Sequence, residues 1–376
     1  MLTEIETEPP LRRIAVVDDT QDADRRGVVA ATDYLLSGAY SAAVCLELRN
    51  DCTSAGMFSA RAYVDSFALA RGHDGGRVKP PKLGLPSVHG PLGVLYTPDL
   101  PRSPSLPGTL RHFESIAIDR GVEILWLRKD EIDAVDSVGA LFVRDNTSST
   151  NHTLAFASRA VAGGIPVIDA PEVILACADK ALQAEIFAVN GLPTPGTRLM
   201  HAGNVDEVVA TLGYPFVLKQ VDGCWSREVW RIDGAADLAL RLPPLLARGF
   251  FAVAQVYRPT SFDWRIAVLD GELLFAARYH TVPGHWQVAL WDGDVVIESG
   301  RTEPVSIAAV PIAVANLARV AARAFGAGLL GVDLKDTEEG LLVIEVNDCV
   351  DLDVGFEDGA EGSRVYHRLL DALGYR

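Results

Sequence analysis

The spacing of apolar residues changes character at Asp179, and that change narrows the architectures open to this chain. Upstream, short strand-like runs alternate with helical ones. Arg13-Ile-Ala-Val-Val17 reads as a buried strand ended by Asp18-Asp19, and Val122 to Leu127 and Ala140 to Arg144 read as strands. Ser54 to Arg71 reads as a helix before Gly72 and Gly75, and His152 to Ala162 as another, with a short strand at Val167-Ile168. Residues 28–47 mix both signals, and the Pro- and Gly-rich run Lys79 to Pro107 reads as loop or irregular strand. Such alternation predicts an open α/β domain.

Downstream, a helix from Lys180 to Asn190 stops at Gly191, with Pro193 beyond, and strands then dominate. They are expected at Phe216–Lys219, Val229–Ile232, Phe251–Tyr257, Arg265–Leu269, Leu273–Tyr279 and Trp286–Trp291, with Asp270-Gly271 as a hairpin turn. A helix over about Val310 to Phe325, strands at Leu330–Leu334 and Leu341–Val346, and a closing helix Ser363–Leu373 complete an α+β half.

At 376 residues the chain suits two or three domains, and 49% hydrophobic with 22% charged residues is a globular balance. A net charge of −16 argues against a nucleic-acid partner, which needs a basic face. The five dispersed cysteines show no paired metal spacing and fit a reducing compartment. Glu4, Glu6 and Glu8 do not fit a signal peptide, and Asn316, Arg319 and Arg323 interrupt the most apolar stretch, Val305 to Leu330. The expectation is a cytoplasmic protein with no membrane partner.

The chemistry concentrates near the C-terminus. Gly331-Val-Asp-Leu-Lys335 and Leu342-Val-Ile-Glu-Val-Asn-Asp348 present Asp333, Glu345 and Asn347, and the two-residue step from Glu345 to Asn347 puts both on one face of a strand. Hard oxygen donors of this kind suit Mg²⁺ with substrate phosphates; an ordinary polar strand end is the plain alternative. Lys180 opens a helix, and Lys219 ends the apolar strand Tyr214-Pro-Phe-Val-Leu218, where an ammonium calls for an anionic partner or a route to solvent. Asp222-Gly-Cys-Trp-Ser-Arg227 reads as a turn whose N–H groups can cover phosphates. Arg265, in Asp263-Trp-Arg265, and Arg278 on the partner strand are placed to bracket a transferring phosphoryl group or to form cross-strand salt bridges. Gln255 to Tyr257 ends a strand whose backbone suits an adenine edge.

This order of motifs resembles the ATP-grasp superfamily, and within it the RimK-like ligases that carry a RimK-like ATP-grasp N-terminal domain. The resemblance rests on Ala31-Thr-Asp-Tyr34, Ser54 to Arg61, Ala70-Arg-Gly-His73, Phe142 to Thr147 with His152-Thr153, Phe262 to Arg265, Gly284-His-Trp-Gln287, Gly331 to Lys335 and Ile344 to Asp348. It implies an α/β (α+β) chain with the ATP-grasp fold, an N-terminal α/β domain preceding two α+β subdomains that clasp ATP. The implied divisions are 1–110 for the N-terminal domain, 111–178 for a central α/β region, 179–256 for a lid subdomain and 257–376 for a catalytic subdomain.

The resemblance also implies roles. Lys180, Lys219, Ser226, Arg227, Gln255, Tyr257 and Arg278 would contact ATP; Asp333, Glu345 and Asn347 would hold two Mg²⁺ ions; Arg265 and Lys219 would be catalytic. Arg144, His152, Asp263, His285 and Asp351 would contact substrate, with Arg144 gripping its carboxylate as a bidentate pair. Two stretches depart from the family pattern: Glu228 stands where the phosphate loop usually has glycine, and Cys349-Val350-Asp351 replaces the usual Asn-Pro continuation.

The implied reaction is amide formation between small amino acids, with a γ-glutamyl donor as one version, through an acyl phosphate. Addition of glutamate to a peptide or protein terminus is the second reading, and a non-catalytic ATP sensor is a third, from another class. A dinucleotide oxidoreductase lacks its glycine fingerprint. The N-terminal hundred residues either shape the substrate pocket or build a homodimer contact.

Overall fold

The computed structural model describes residues 88–98, 103–222, 228–248, 251–293 and 295–376, with four short strands before residue 80. The chain divides into Met1–Lys79 and Pro80–Arg376. In the first unit β1 (Leu2–Ile5) pairs antiparallel with β2 (Ile14–Val17), and β3 (Val44–Cys45) with β4 (Tyr63–Val64). Tyr63-Val64 lies inside the stretch expected to be a helix, Ser54 to Arg71; its β-branched and aromatic pair prefers extended backbone. Ala31 to Tyr34, Ser54 to Arg61 and Ala70 to His73 fall outside the described residues.

In the second unit a parallel sheet has the order β6 (Ile124–Leu127), β5 (Leu92–Leu95), β7 (Ala140–Val143), β8 (Val167–Ile168). Its central strand β5 is buried throughout, although the sequence around it reads as loop. The strand is only four residues long among prolines and glycines, so turn signals outweigh its own. Gly93 within it is needed for space, since a Cβ there would sit 3.0 Å from Val138 Cγ1 and 3.1 Å from Leu127 Cδ1. Helices α1 (Pro107–Asp119) and α2 (His152–Ala162) cross between the strands. α2 begins at Asn151, whose side chain accepts the N–H of Thr153.

Helix α3 (Pro171–Ala178) leads into α4 (Lys180–Val189), capped by Asp179, which accepts from Ala181 and Leu182 N–H. A four-stranded antiparallel sheet follows in the order β11 (Val229–Ile232), β10 (Phe216–Gln220), β12 (Ala252–Val256), β9 (Thr197–Met200). With α5 (Val205–Leu212) and α6 (Ala235–Arg248) it closes a small core of its own around Phe216, Leu218 and Leu245. The remaining antiparallel sheet runs β17 (Thr302–Val305), β14 (Glu272–His280), β13 (Phe262–Leu269), β18 (Leu329–Thr337), β19 (Gly340–Asn347), beside the hairpin β15 (Ala289–Asp292) and β16 (Val295–Ser299).

Both faces of this larger sheet are buried. Trp264, Ile266 and Val268 point to α7 (Ile312–Phe325), whose Val314, Ala318, Ala321 and Phe325 form its apolar stripe. Ala267 and Leu269 point the other way, into a core shared with the parallel sheet and α8 (Arg364–Ala372). Asp270 (φ 51°) and Gly271 (φ 83°) both adopt left-handed backbone, the two-residue hairpin turn expected of Asp-Gly. Residues 286–288, expected to begin a strand, precede β15 instead. Residue 110 lies within α1, and Val256 ends β12. No helix among the described residues is long and apolar enough to cross a membrane.

Candidate active site

Antiparallel pairing sets Arg265 on β13 opposite Asp333 on β18, and Asp333 opposite Glu345 on β19. Directly opposed side chains share a face, so a guanidinium and two carboxylates form one row across three strands, with Asn347 two residues beyond Glu345 on that face. Arg265 donates to both oxygens of Asp333, from Nε at 2.5 Å and Nη2 at 3.0 Å. Asn347 Nδ2 donates to Asp333 Oδ2 at 3.1 Å. Two residues along, a second row joins Asp263 to Lys335, Nζ to Oδ1 at 2.5 Å, with Thr260 Oγ1 on both.

The cations expected at the phosphates reach the same place. Lys180 Nζ lies 2.8 Å from Glu345 Oε1. Lys219 and Gln255 are diagonal neighbours on β10 and β12, and Lys219 Nζ donates to Gln255 Oε1 at 2.9 Å. A cavity beside them is lined by Lys180, Gln183, Phe187, Lys219, Gln255 and Ile344, so residues of the four-stranded sheet and of β19 share one space.

Burial in this space sets the charge states. It pulls Lys219 down to about 8, against the favourable field of Glu345. It raises Asp333 to about 6 despite Arg265. For Glu345 burial also acts upward, but Lys180 and Lys219 together outweigh it and hold the carboxyl below its ordinary range. A triphosphate beside Lys219 would favour the ammonium, so its titration should move back toward the ordinary lysine range when a magnesium–nucleotide analogue binds. Carbon-13 NMR of methylated lysines measures this directly; an unmoved Lys219 resonance would place the phosphates elsewhere.

Other expected residues sit differently. Ser226 and Arg227 lie outside the described residues. Tyr257 stands past the end of β12, with the Arg231 guanidinium 5.4 Å over its ring and Trp286 edge-on at 5.7 Å. His285 stacks on Trp286 and accepts the N–H of Gln287, whose amide reaches Val229 O on β11 at 3.2 Å. His152 is held by Asp145, Nε2 to Oδ2 at 2.8 Å, and Thr97 donates to the same oxygen at 2.5 Å. These residues tie the carboxyl ends of β5 and β7 together, where connections leave in opposite directions and open α/β sheets bind ligands.

Two expectations need correction. Arg278 is opposite Trp264, hence on the sheet face away from Arg265. Its guanidinium stacks 4.7 Å from Trp264 and 5.0 Å from Phe262 and pairs with Glu303 at 3.4 Å, so it is not part of the row. Arg144 is fully buried and donates to Val350 O at 3.0 Å, Ser105 Oγ at 2.7 Å and Pro104 O. The guanidinium therefore cross-links the 104–105 and 350 backbones, where a free carboxylate grip was expected. Arg144→Met should cost about 3 kcal/mol, because acceptors left without donors in a core carry their full desolvation penalty; a urea unfolding midpoint unchanged from wild type would contradict this.

The sequence reading missed several groups. Asp169, buried at the end of β8, accepts Leu329 N–H at 2.6 Å and Cys349 N–H at 3.2 Å, fastening the start of β18 to the turn after Asn347. One aspartate after a two-residue strand carries no signal of that role. Lys335 was within reach, since 331, 333 and 335 alternate onto one face. Tyr279 lies under Arg265, 5.0 Å from ring centre to guanidinium, and donates to Glu357 at 2.7 Å.

The donor set fits a hard divalent cation. Asp333, Glu345 and Asn347 supply two carboxylates and an amide oxygen on adjacent strands, the chemistry Mg²⁺ takes beside phosphates. Arg265 pairs with Asp333 and Lys180 with Glu345.

A family model of the RimK-like ATP-grasp domain matches residues 177–361, which spans α4, both antiparallel sheets and the segment after Asn347. Tetrahydromethanopterin:alpha-L-glutamate ligase of Methanocaldococcus jannaschii is 29% identical over 190 residues, 49% of this chain and 62% of that protein. The alpha-aminoadipate–LysW ligase LysX of Saccharolobus solfataricus is 26% identical over 220 residues, 57% of this chain and 76% of that protein. The D-alanine–D-alanine ligase of Bacillus anthracis, solved in complex with ATP, superposes with a TM-score of 0.57 at 16% identity, over 76% of this chain and 96% of that one. The chain thus has the ATP-grasp fold, and its residues 177–361 match the RimK-like ATP-grasp domain.

Proposed function

We propose that this protein is an ATP-dependent carboxylate–amine ligase joining small amino acids through an acyl phosphate. The observation that supports it most is the row Arg265–Asp333–Glu345 with Asn347, facing Lys180 and Lys219. These charges pair with one another within the chain, since a buried charge without a partner is costly. Nucleotide binding exchanges those partners: phosphate oxygens take the lysines, and Asp333, Glu345 and Asn347 are released to hold Mg²⁺. Bound there, the ion would neutralise charge on the phosphates.

Lys180 and Lys219 orient the triphosphate, and Gln255 and Tyr257 border the adenine. The substrate carboxylate attacks the terminal phosphorus, ADP leaves, and Arg265 stabilises the charge that develops on the transferring group. The same guanidinium then faces the tetrahedral centre formed when an amine attacks the acyl carbon and phosphate departs. The small sheet of residues 185–255, with its separate core, serves as the lid that keeps water from the acyl phosphate. The reaction takes place in the cytoplasm.

A panel of amino-acid pairs assayed by ADP release identifies the substrates. Oxygen-18 from the carboxylate should appear in the released phosphate; label that stays wholly in the product would reject the acyl-phosphate route. Relatives named for attaching glutamate or alpha-aminoadipate favour a second version, with a larger molecule as one partner. Turnover that requires a peptide acceptor would select it. Nucleotide binding without ADP release under any of these conditions would leave a sensor.

A further inference from the structure

The carboxylates around the row are not equivalent. Asp333 has a guanidinium nitrogen at 2.5 Å, Glu345 an ammonium at 2.8 Å, and Asp263 an ammonium at 2.5 Å. Asp351 has none so near. Its Oδ2 stands 3.9 Å from Arg265 Nη1, beyond hydrogen-bond reach, and no closer cation meets it among the described residues. Its side chain keeps 20% of its surface open, so the carboxylate is not sealed into the core. Burial raises it to about 7 even beside Arg265, with Glu357 and Asp353 adding to the rise and Arg144 opposing it. Glu357 is occupied by Tyr279 OH at 2.7 Å and Asp353 N–H at 2.9 Å, and Arg144 is consumed by backbone oxygens. The position beside the phosphoryl-handling guanidinium therefore offers a second partner one kind of group only: a cation small enough to enter.

The amine substrate supplies such a group. An amino acid arrives with its amine protonated, because α-amino groups titrate at about 8 or above. It can attack an acyl carbon only after losing a proton. Resting on the ligase reading, we propose that Asp351 holds the ammonium of the amine substrate and takes one of its protons. The proton passes from nitrogen to the Asp351 carboxylate, and the freed lone pair forms the C–N bond at the acyl carbon. The C–O bond to phosphate then breaks with its electron pair leaving on phosphate, which accepts the second nitrogen proton. Asp351 returns its proton to solvent. Glu357 and Asp353 add negative field at the same place, so this subsite selects ammonium groups and rejects acceptors that present a carboxylate there.

Hydroxylamine separates this role from the chemistry before it. It is a weak base, uncharged near neutral pH, and intercepts an acyl phosphate without a proton acceptor. Purified wild-type protein, ATP, Mg²⁺ and each of the twenty amino acids are incubated with hydroxylamine or with a second amino acid, and hydroxamate and amide are quantified. In Asp351→Asn the ratio of amide to hydroxamate should fall about 100-fold, the loss typical of a missing proton acceptor, and Asp351→Glu should recover part of it. Equal loss of both products, no loss of either, or wild-type hydroxamate with no amide from any amino acid would overturn the assignment to Asp351. Wild-type protein that gives neither product would instead overturn the ligase reading beneath it.

Discussion

Replacing Arg265 with methionine should slow acyl-phosphate formation about 10³-fold, the scale set by arginines that stabilise phosphoryl transfer. Nucleotide affinity should change less than about tenfold, since in the proposed reaction Arg265 would meet the transferring group and not the rest of the nucleotide. The split follows from geometry: Arg265 binds both oxygens of Asp333 and lies over the Tyr279 ring, so two contacts fix its plane. Arg265→Lys keeps the charge but loses the fork that engages Asp333, and should recover little of the rate. Rapid-quench measurement of ADP with nucleotide-binding titrations separates the two quantities. A loss confined to nucleotide affinity would show that Arg265 is a ground-state contact.

Glu345→Gln should be the second large effect. The substitution keeps the shape and removes the charge that both holds Lys180 in the free enzyme and serves the cation in the bound one. Nucleotide affinity in saturating Mg²⁺ should fall about 100-fold. Lys180, whose side chain is 10% exposed, then loses its contact with the Glu345 charge, so stability at pH 7 should also drop. The sign with pH is fixed: Glu345 is held below its ordinary range, so its contribution is present above that range and fades as acid protonates it. The Glu345→Gln variant should lose this part of the acid dependence, as urea midpoints across pH 3 to 7 would show. Parallel wild-type and variant curves would remove Glu345 from the ion-pair account.

Much of this site was legible because strands alternate. Glu345 and Asn347 share a face by spacing alone, and the lysine ending the apolar run at 219 needed an anion. Register was not legible. Arg265 and Asp333 are 68 residues apart, and their pairing appears only when β13 lies against β18. The same ignorance misplaced Arg278, which lies on a neighbouring strand but one register step from the face that matters. Arg144 misled for another reason. The resemblance implied an anion grip, whereas its acceptors come from 39 and 40 residues upstream and 206 downstream, too far to be inferred from local pattern. β5 was hidden by the prolines and glycines at its ends, although it is the central strand of its sheet.

The central claim is that one magnesium–nucleotide complex sits between the Asp333–Glu345–Asn347 face and the two lysines. Crystals grown with a non-hydrolysable ATP analogue and Mn²⁺, measured at the manganese edge, locate the cation by anomalous scattering without prior assumptions. The account predicts a peak about 2.1 Å from oxygens of Asp333, Glu345 and Asn347, with Lys180 and Lys219 turned from Glu345 and Gln255 onto phosphate oxygens. A nucleotide bound with its metal elsewhere, and the Lys180–Glu345 and Arg265–Asp333 pairs intact, would contradict it.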